Sequence, residues 1–207
     1  RPWRPFKVKT TRELCRARVK RPMVQRAQAL QLPDIDLPID PYVLGVWRGD
    51  GLSSGGTFYA HRKDIGEVST TLKQAGATLG SIHHRSGASN RVVKGLQASL
   101  RENGLLNNKH IPSQYLRGSF KQRLSLLQGL MDTDGSASKC NARMCDFTTS
   151  NGKLAVGFSE LLRTLGFKAK FSTRYRTLNY RGTERACATA YQFYFVASTD
   201  FPVSISS

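Results

Sequence analysis

Asp50 and Asp134 are the residues with which chemistry could begin. Each closes a short apolar run with small residues four apart, and each is followed by glycine. The runs are Val43 to Gly51 (VLGVWRGDG), with Gly45 and Gly49, and Leu126 to Gly135 (LLQGLMDTDG), with Gly129 and Thr133. Small residues at i and i+4 share one helix face and let two backbones approach closely. Packed through Gly45, Gly49, Gly129 and Thr133, the helices would bring Asp50 and Asp134 out together at their C-terminal ends, where the dipole is negative and a cation is favoured. Two carboxylates there, flanked by Gly49 and Thr133, suit a hard oxygen-liganded ion that keeps waters for a phosphate: Mg²⁺, or Mn²⁺ in its place. Gly51 and Gly135 are expected at positive φ, where a chain leaves a helix. An isolated Asp-Gly at a helix end reads as a turn; duplication of the whole pattern argues for a site.

The elements that must position these aspartates recur in order. Asp40 is an N-cap and Pro41 suits the first helical turn. After Gly51 a strand is expected over Thr57 to Lys63, with Thr57, Tyr59, His61 and Lys63 on one face. A helix over 64–75 follows, with Ile65, Val68 and Leu72 inward. Strands over Leu79 to Arg85 and Arg91 to Lys94 flank Ser86 to Ser89, and a helix runs from Leu96 to Asn103. Pro112 opens a further helical turn, and Ser119 with Gln122 forms a capping box before the second run. Strand Arg143 to Thr149, helix Gly152 to Leu165 and strands Lys168 to Leu178 and Ala188 to Ala197 then copy the first half. Asp50 and Asp134 are 84 positions apart, which is the repeat length.

At these residues the chain resembles the LAGLIDADG homing endonucleases, in their intein-encoded branch. The resemblance rests on LPIDPYVLGVWRGDG at 37–51 and NKHIPSQYLRGSFKQRLSLLQGLMDTDG at 108–135, and covers roughly residues 37 to 200. It implies an α+β fold of two pseudo-symmetric αββαββα halves, which form a β-saddle for DNA with the two signature helices packed at its centre. The boundaries it suggests are a basic arm and linker over 1–39, a first half over 40–118 and a second over 119–207. It implies a monomeric double-strand DNA endonuclease that cuts with Mg²⁺, leaves short 3′ overhangs and finds a long asymmetric site in an intein-free allele. Asp50, Asp134 and Lys109 are then the catalytic residues; the family's lysine in the Lys-x-Ile-Pro box lies near the scissile phosphate. Arg48 departs from the pattern, because it stands where the second signature has Asp132 and intein relatives carry leucine. A guanidinium there must snorkel to solvent, pair with an acid, touch DNA, or intrude between the helices. No second-half counterpart of Lys109 is evident. The chain neither begins with a nucleophilic Cys or Ser nor ends in His-Asn, so it is not expected to splice by itself.

Charge agrees with a polyanionic partner. The 207 residues carry 32 Lys and Arg against 14 Asp and Glu, a net +18, and each phosphate neutralised releases counterions. Residues 1–31 hold ten basic residues against Glu13 alone; a DNA-contacting arm and a plain linker read equally well. Within it Thr11 is expected to cap a helix from Arg12 to about Val19. In KAKFSTRYR, alternation puts Lys168, Lys170, Ser172, Arg174 and Arg176 on one face, suited to phosphates or to guarding an exposed strand from aggregation. Double-stranded DNA contacts are expected from Tyr59, His61, Lys63, Arg85, Arg91, Lys139, Arg143, Lys168, Lys170, Arg174 and Arg176. No apolar run reaches the roughly 18 residues of a membrane span. No small-molecule cofactor is expected, and the location expected is cytoplasmic and nucleoid-associated in a bacterial or phage host. Four cysteines, Cys15, Cys140, Cys145 and Cys187, lack zinc-ligand spacing and read as reduced thiols. Two other classes stay open: a DNA-binding protein or RNA-splicing helper of the same fold with an impaired nuclease site, and a basic packaging protein indifferent to sequence.

Overall fold

The structure is a computed structural model, which describes residues 7–16, 27–84, 87–138, 141–175, 177–180 and 183–197. Its centre is a pair of helices, α2 (Pro41–Asp50) and α5 (Phe120–Asp134). Both start where side chains satisfy the first backbone amides. The Asp40 carboxylate accepts from the amides of Tyr42 and Val43 at 2.9 and 3.2 Å. Ser119 Oγ accepts from Gln122 N at 3.3 Å while Gln122 Oε1 accepts from Ser119 N at 3.0 Å, the expected reciprocal cap.

What brings these helices together is the absence of side chains along one stripe. A methyl added at Gly45 would lie 2.5 Å from Leu126 O and 2.9 Å from Gly129 Cα and Leu130 N; one added at Gly129 would press on Tyr42 O and lie 2.8 Å from Val46 N. These partners are reciprocal at an offset of 84 positions, so the contact is isologous within one chain. Gly49 continues the stripe against the Thr133 side chain. Around it Leu44, Val46, Trp47, Leu126, Leu127 and Leu130 are buried.

Each half adds a sheet and helices. In the first, β1 (Thr57–His61), β2 (Leu79–His84) and β3 (Ala88–Val93) form an antiparallel sheet ordered β1-β3-β2, with α3 (Ile65–Gln74) and α4 (Leu96–Glu102). Ile65, Val68 and Leu72 are buried, as their spacing predicts. In the second, β4 (Gly135–Ser138), β5 (Asn141–Thr149), β6 (Lys170–Arg174) and β9 (Ala190–Val196) are ordered β4-β5-β9-β6, with α6 (Gly152–Thr164). A single bridge from Gly51 to Phe58 stands where β4 pairs with β5, so both sheets follow one order. Phe158 of α6 stacks on Phe147 at 3.9 Å between ring centroids and meets Phe193 at 5.1 Å; such ring contacts add to area burial.

Several expectations are corrected. Gly51 and Gly135 are extended, with φ of −79° and −88°. They are glycines because a Cβ would strike the preceding turn, at Trp47 and at Met131. The strand expected over Lys168 to Leu178 ends at Arg174. A separate hairpin, β7 (Thr177–Tyr180) with β8 (Thr183–Ala186), lies between β6 and β9. Ser89 belongs to β3 rather than to a turn. At the N-terminus Thr10, not Thr11, caps α1 (Thr11–Arg16), exchanging hydrogen bonds with Glu13.

The stretch from 27 to 39 is tied to the second half. Arg123, fully buried, donates to Gly118 O, Thr164 O and Leu30 O at 2.9, 2.5 and 2.5 Å. Gln122 clasps the backbone of Ile35, and Tyr115 Oη donates to Ile39 O while accepting from Ile39 N. Among the described residues no helix is long and apolar enough to cross a membrane.

Candidate active site and nucleic-acid interface

Asp50 and Asp134 stand at the last positions of α2 and α5, brought to one end by the glycine stripe. They feel one another. Burial and then the Asp50 carboxylate push the Asp134 pKa up to about 6, against the pull of Lys109. Because Asp134 still presents surface to solvent, part of that push is screened. Asp50 is raised by burial, with Lys109 opposing. Burial raises both carboxyls and Lys109 offsets only part of it, so further positive charge beside them is favourable. Their all-oxygen donors match a hard divalent ion that completes its shell with water and phosphate. Among the described residues no three His, Cys, Asp or Glu side chains gather as a metal site, so protein ligands alone would not saturate such an ion.

Lys109 reaches this point from the segment between the halves. Its Nζ donates to Arg48 O, Gly49 O and Gly51 O at 3.1, 3.1 and 2.8 Å. An ammonium has three donors, and all are taken by carbonyls at the negative end of α2. Burial lowers its pKa, Asp134 and Asp50 raise it, and Arg48 lowers it further. The ammonium also lies 5.5 Å from the Trp47 ring centroid.

Arg48 does not snorkel to solvent, and among the described residues it forms no ion pair with an acid. It is 1% exposed, stacks 4.8 Å from the Trp47 ring centroid and donates from Nη1 to Asn108 O at 3.1 Å. Its Nε and Nη2 find no acceptor among the described residues, and burial pushes its pKa down to about 9. Asp132, its counterpart in α5, instead accepts from Tyr42 Oη at 2.9 Å and so joins the two signature helices.

The strand registers decide which of the expected DNA-facing residues share a face. In the first sheet Tyr59, Asn90 and His83 lie in one row across β1, β3 and β2. Tyr59 and His61 are exposed, while Phe58 on the opposite face is 1% exposed. Arg91 is in register with Phe58 and Ile82 and donates from Nε to Gly80 O, so it lies on the helix-covered face, away from Tyr59. Lys63 is exposed in the turn after β1. In the second sheet Cys145 and Phe147 face the core. The outward rows are Ser136, Asp146, Tyr194 and Lys170, then Thr148, Gln192 and Ser172. Arg174 is exposed and donates to Tyr194 Oη at 3.2 Å. Lys168 is exposed just before β6. Arg85, Lys139 and Arg176, and the Arg143 side chain, lie outside what the structure describes. Sequence reasoning did not place Asn90, Asp146, Gln192 and Tyr194 on these outward rows; strand alternation could have done so once the core-facing residues were fixed.

Residues 121–193 match the family described as "LAGLIDADG-like domain". That match runs from within α5 to within β9. The chain is also similar to the replicative DNA helicase DnaB of Mycobacterium intracellulare, 37% identical over 172 residues, which are 83% of this chain and 26% of that protein. It thus spans about a quarter of the length of that relative. Among solved structures it is similar to a crystal structure of I-DmoI in complex with DNA and Ca, with TM-score 0.48 and 15% identity over 79% of this chain and 84% of that one. It is likewise similar to the N-terminal LAGLIDADG domain of DUF199/WhiA, with TM-score 0.40 and 10% identity over 80% and 81% of the two chains.

Proposed function

We propose that this chain is a site-specific double-strand DNA endonuclease of the intein-encoded homing type, acting as a monomer because one chain carries both signature helices. The observation that carries this reading is the pair Asp50 and Asp134, held at adjoining helix ends with each carboxylate raising or resisting the ionisation of its neighbours and Lys109 beside both.

Asp50 and Asp134 would hold Mg²⁺, or Mn²⁺, which when bound supplies Lewis-acid activation of a phosphodiester and of water. The two carboxylates would be the protein's ligands to that ion, and they must be ionised to hold it. Lys109 adds positive charge where the phosphate becomes more negative. Lys168, Lys170 and Arg174 hold the DNA backbone. The outward rows through Tyr59, Asn90 and His83, and through Ser136, Asp146, Tyr194 and Gln192, meet base edges in the major groove. No side-chain nucleophile is required, and short 3′ overhangs are the products expected.

The placement within a longer protein is part of the same proposal. The similarity covers most of this chain but a quarter of the DnaB relative, and this chain has no G-x-x-x-x-G-K-[ST] phosphate loop. It fits an insertion in a helicase polypeptide better than the helicase motor, and the first duplex to test is the uninterrupted gene for such a helicase.

One observation favours a second reading, binding without cutting: every Lys109 donor is occupied. The test is cleavage of that duplex, and of a randomised duplex library, with Mg²⁺ or with chelator. Discrete Mg²⁺-dependent cuts support the nuclease. Site-selective binding with no cut supports the second reading, and binding without selectivity removes both.

A further inference from the structure

Lys109 is held at both ends, and the second grip comes from the other half of the molecule. Its ammonium is fixed on the carbonyls around Asp50, whereas its own backbone carbonyl accepts from Asn151 Nδ2 at 2.8 Å. Asn151 is the N-cap of α6: its Oδ1 accepts from the amides of Lys153 and Leu154 at 3.0 and 3.2 Å, and its own amide donates to Thr149 Oγ1 at 3.1 Å. One side chain therefore starts a second-half helix with its oxygen and anchors the inter-half segment with its nitrogen. The surroundings repeat the attachment. Lys153 Nζ donates to Asn108 Oδ1 at 3.3 Å. Ile111 packs so tightly on α6 that a methyl at Gly157 would lie 2.9 Å from its Cβ.

We infer that Asn151 is a positioning residue for Lys109, and that through it the second half sets the geometry beside Asp50 in the first. This rests on the nuclease reading only for its catalytic consequence; the positioning itself does not. Asn151 follows β5 by two residues, and β5 contributes Asp146 and Thr148 to the outward sheet face. A strand that meets DNA in one half thus leads directly to the ammonium that serves the carboxylate of the other. Loss of the Nδ2 donor leaves the Lys109 carbonyl to solvent and frees the segment to shift. A misplacement of about 1 Å near reacting atoms costs on the order of 100-fold in rate.

The two functions of the side chain can be separated. Asn151→Asp and Asn151→Ser keep an oxygen that caps α6, and both residue types are good N-caps, but neither offers the amide donor to Lys109 O. The full chain is used throughout. Thermal unfolding reports the fold. The nitrogen-15 signal of the Lys109 ammonium, assigned by its loss in Lys109→Met, reports the grip, because an ammonium held by three carbonyls exchanges its protons slowly. The expected result is a midpoint within about 2 °C of the parent with ammonium exchange at least tenfold faster in both variants. Where the parent cuts DNA, kcat falls about tenfold or more with little change in KM. Unchanged ammonium exchange in both variants overturns the inference, whether or not the protein cuts. Faster exchange in both variants of a parent that never cuts upholds the positioning and defeats the nuclease reading alone.

Discussion

Gly45 and Gly129 face one another across the signature helices so closely that a methyl group on Gly45 would sit 2.9 Å from Gly129 Cα, and one on Gly129 would sit 3.0 Å from Gly45 Cα. The obstacles are backbone atoms, which cannot rotate aside. Gly45→Ala and Gly129→Ala must each part the helices, and overpacking of this kind costs about 1–3 kcal/mol. At roughly 2–4 °C per kcal/mol for a chain of this size, each should lower Tm by several degrees. Thermal unfolding checks this; an unchanged midpoint would mean that the helices are not packed in this register.

Arg48 offers the opposite sign. A buried guanidinium that among the described residues has one hydrogen bond and two nitrogens lacking acceptors costs more to desolvate than it recovers, and a well-packed apolar replacement is often stabilising by about 1–4 kcal/mol. Arg48→Met keeps length and contact with the Trp47 ring, so it should raise Tm by a few degrees. A fall of that size would reveal a partner for the buried charge.

The ionisation of the aspartates gives a pH test. A carboxylate with pKa near 6 in the folded state and about 3.9 unfolded binds more protons when folded between those values. Stability therefore falls as pH rises through that window. Above about pH 6 the ionised pair is free to take a cation, which binds the folded state and returns stability by mass action. Calorimetric scans should show that millimolar Mg²⁺ raises Tm at pH 7.5 and hardly at pH 5. Equal stabilisation at both values would place the ion elsewhere, and Asp134→Asn should remove most of the effect at pH 7.5.

How much of this was legible in the sequence depended on distance along the chain. Asp40, Pro41, Ser119 and Gln122 announce their helix starts because caps act within three residues. The 84-residue repeat foretells the helix pair because both members keep the small-residue spacing. The contacts of Lys109 with Arg48, Gly49 and Gly51 span 58 to 61 positions, and that with Asn151 spans 42; no local pattern encodes them. Alternation carried the expected strand straight through Tyr175, since polar and apolar residues continue to alternate into β7. The face of Arg91 was missed because β3 begins at Ala88, and only its pairing with buried Phe58 fixes which side is covered.

Asp146 is the one carboxylate on the outward face of the second sheet among the described residues. It accepts from Ser136 Oγ at 2.6 Å and lies in a row with Tyr194 and Lys170. If this face meets DNA as proposed, an acceptor-only group is favourable there where it receives a base amino group, and a carboxylate suits cytosine N4. Asp146→Asn, which can still accept from Ser136, should relax selection at one base pair by about tenfold, within the 1–3 kcal/mol of a single readout contact. Selection from a randomised duplex pool measures it. Unchanged selection at every position would make Asp146 a sheet-bracing residue only.

The central claim is that Asp50 and Asp134 jointly drive strand cleavage. The measurement that tests it most directly follows each strand of one bound duplex under single-turnover conditions with Mg²⁺, for the parent chain, Asp50→Asn and Asp134→Asn. The account predicts that the parent cuts both strands and leaves short 3′ overhangs. Either substitution should abolish double-strand cutting while binding persists. Cutting at the parental rate in both variants would contradict it.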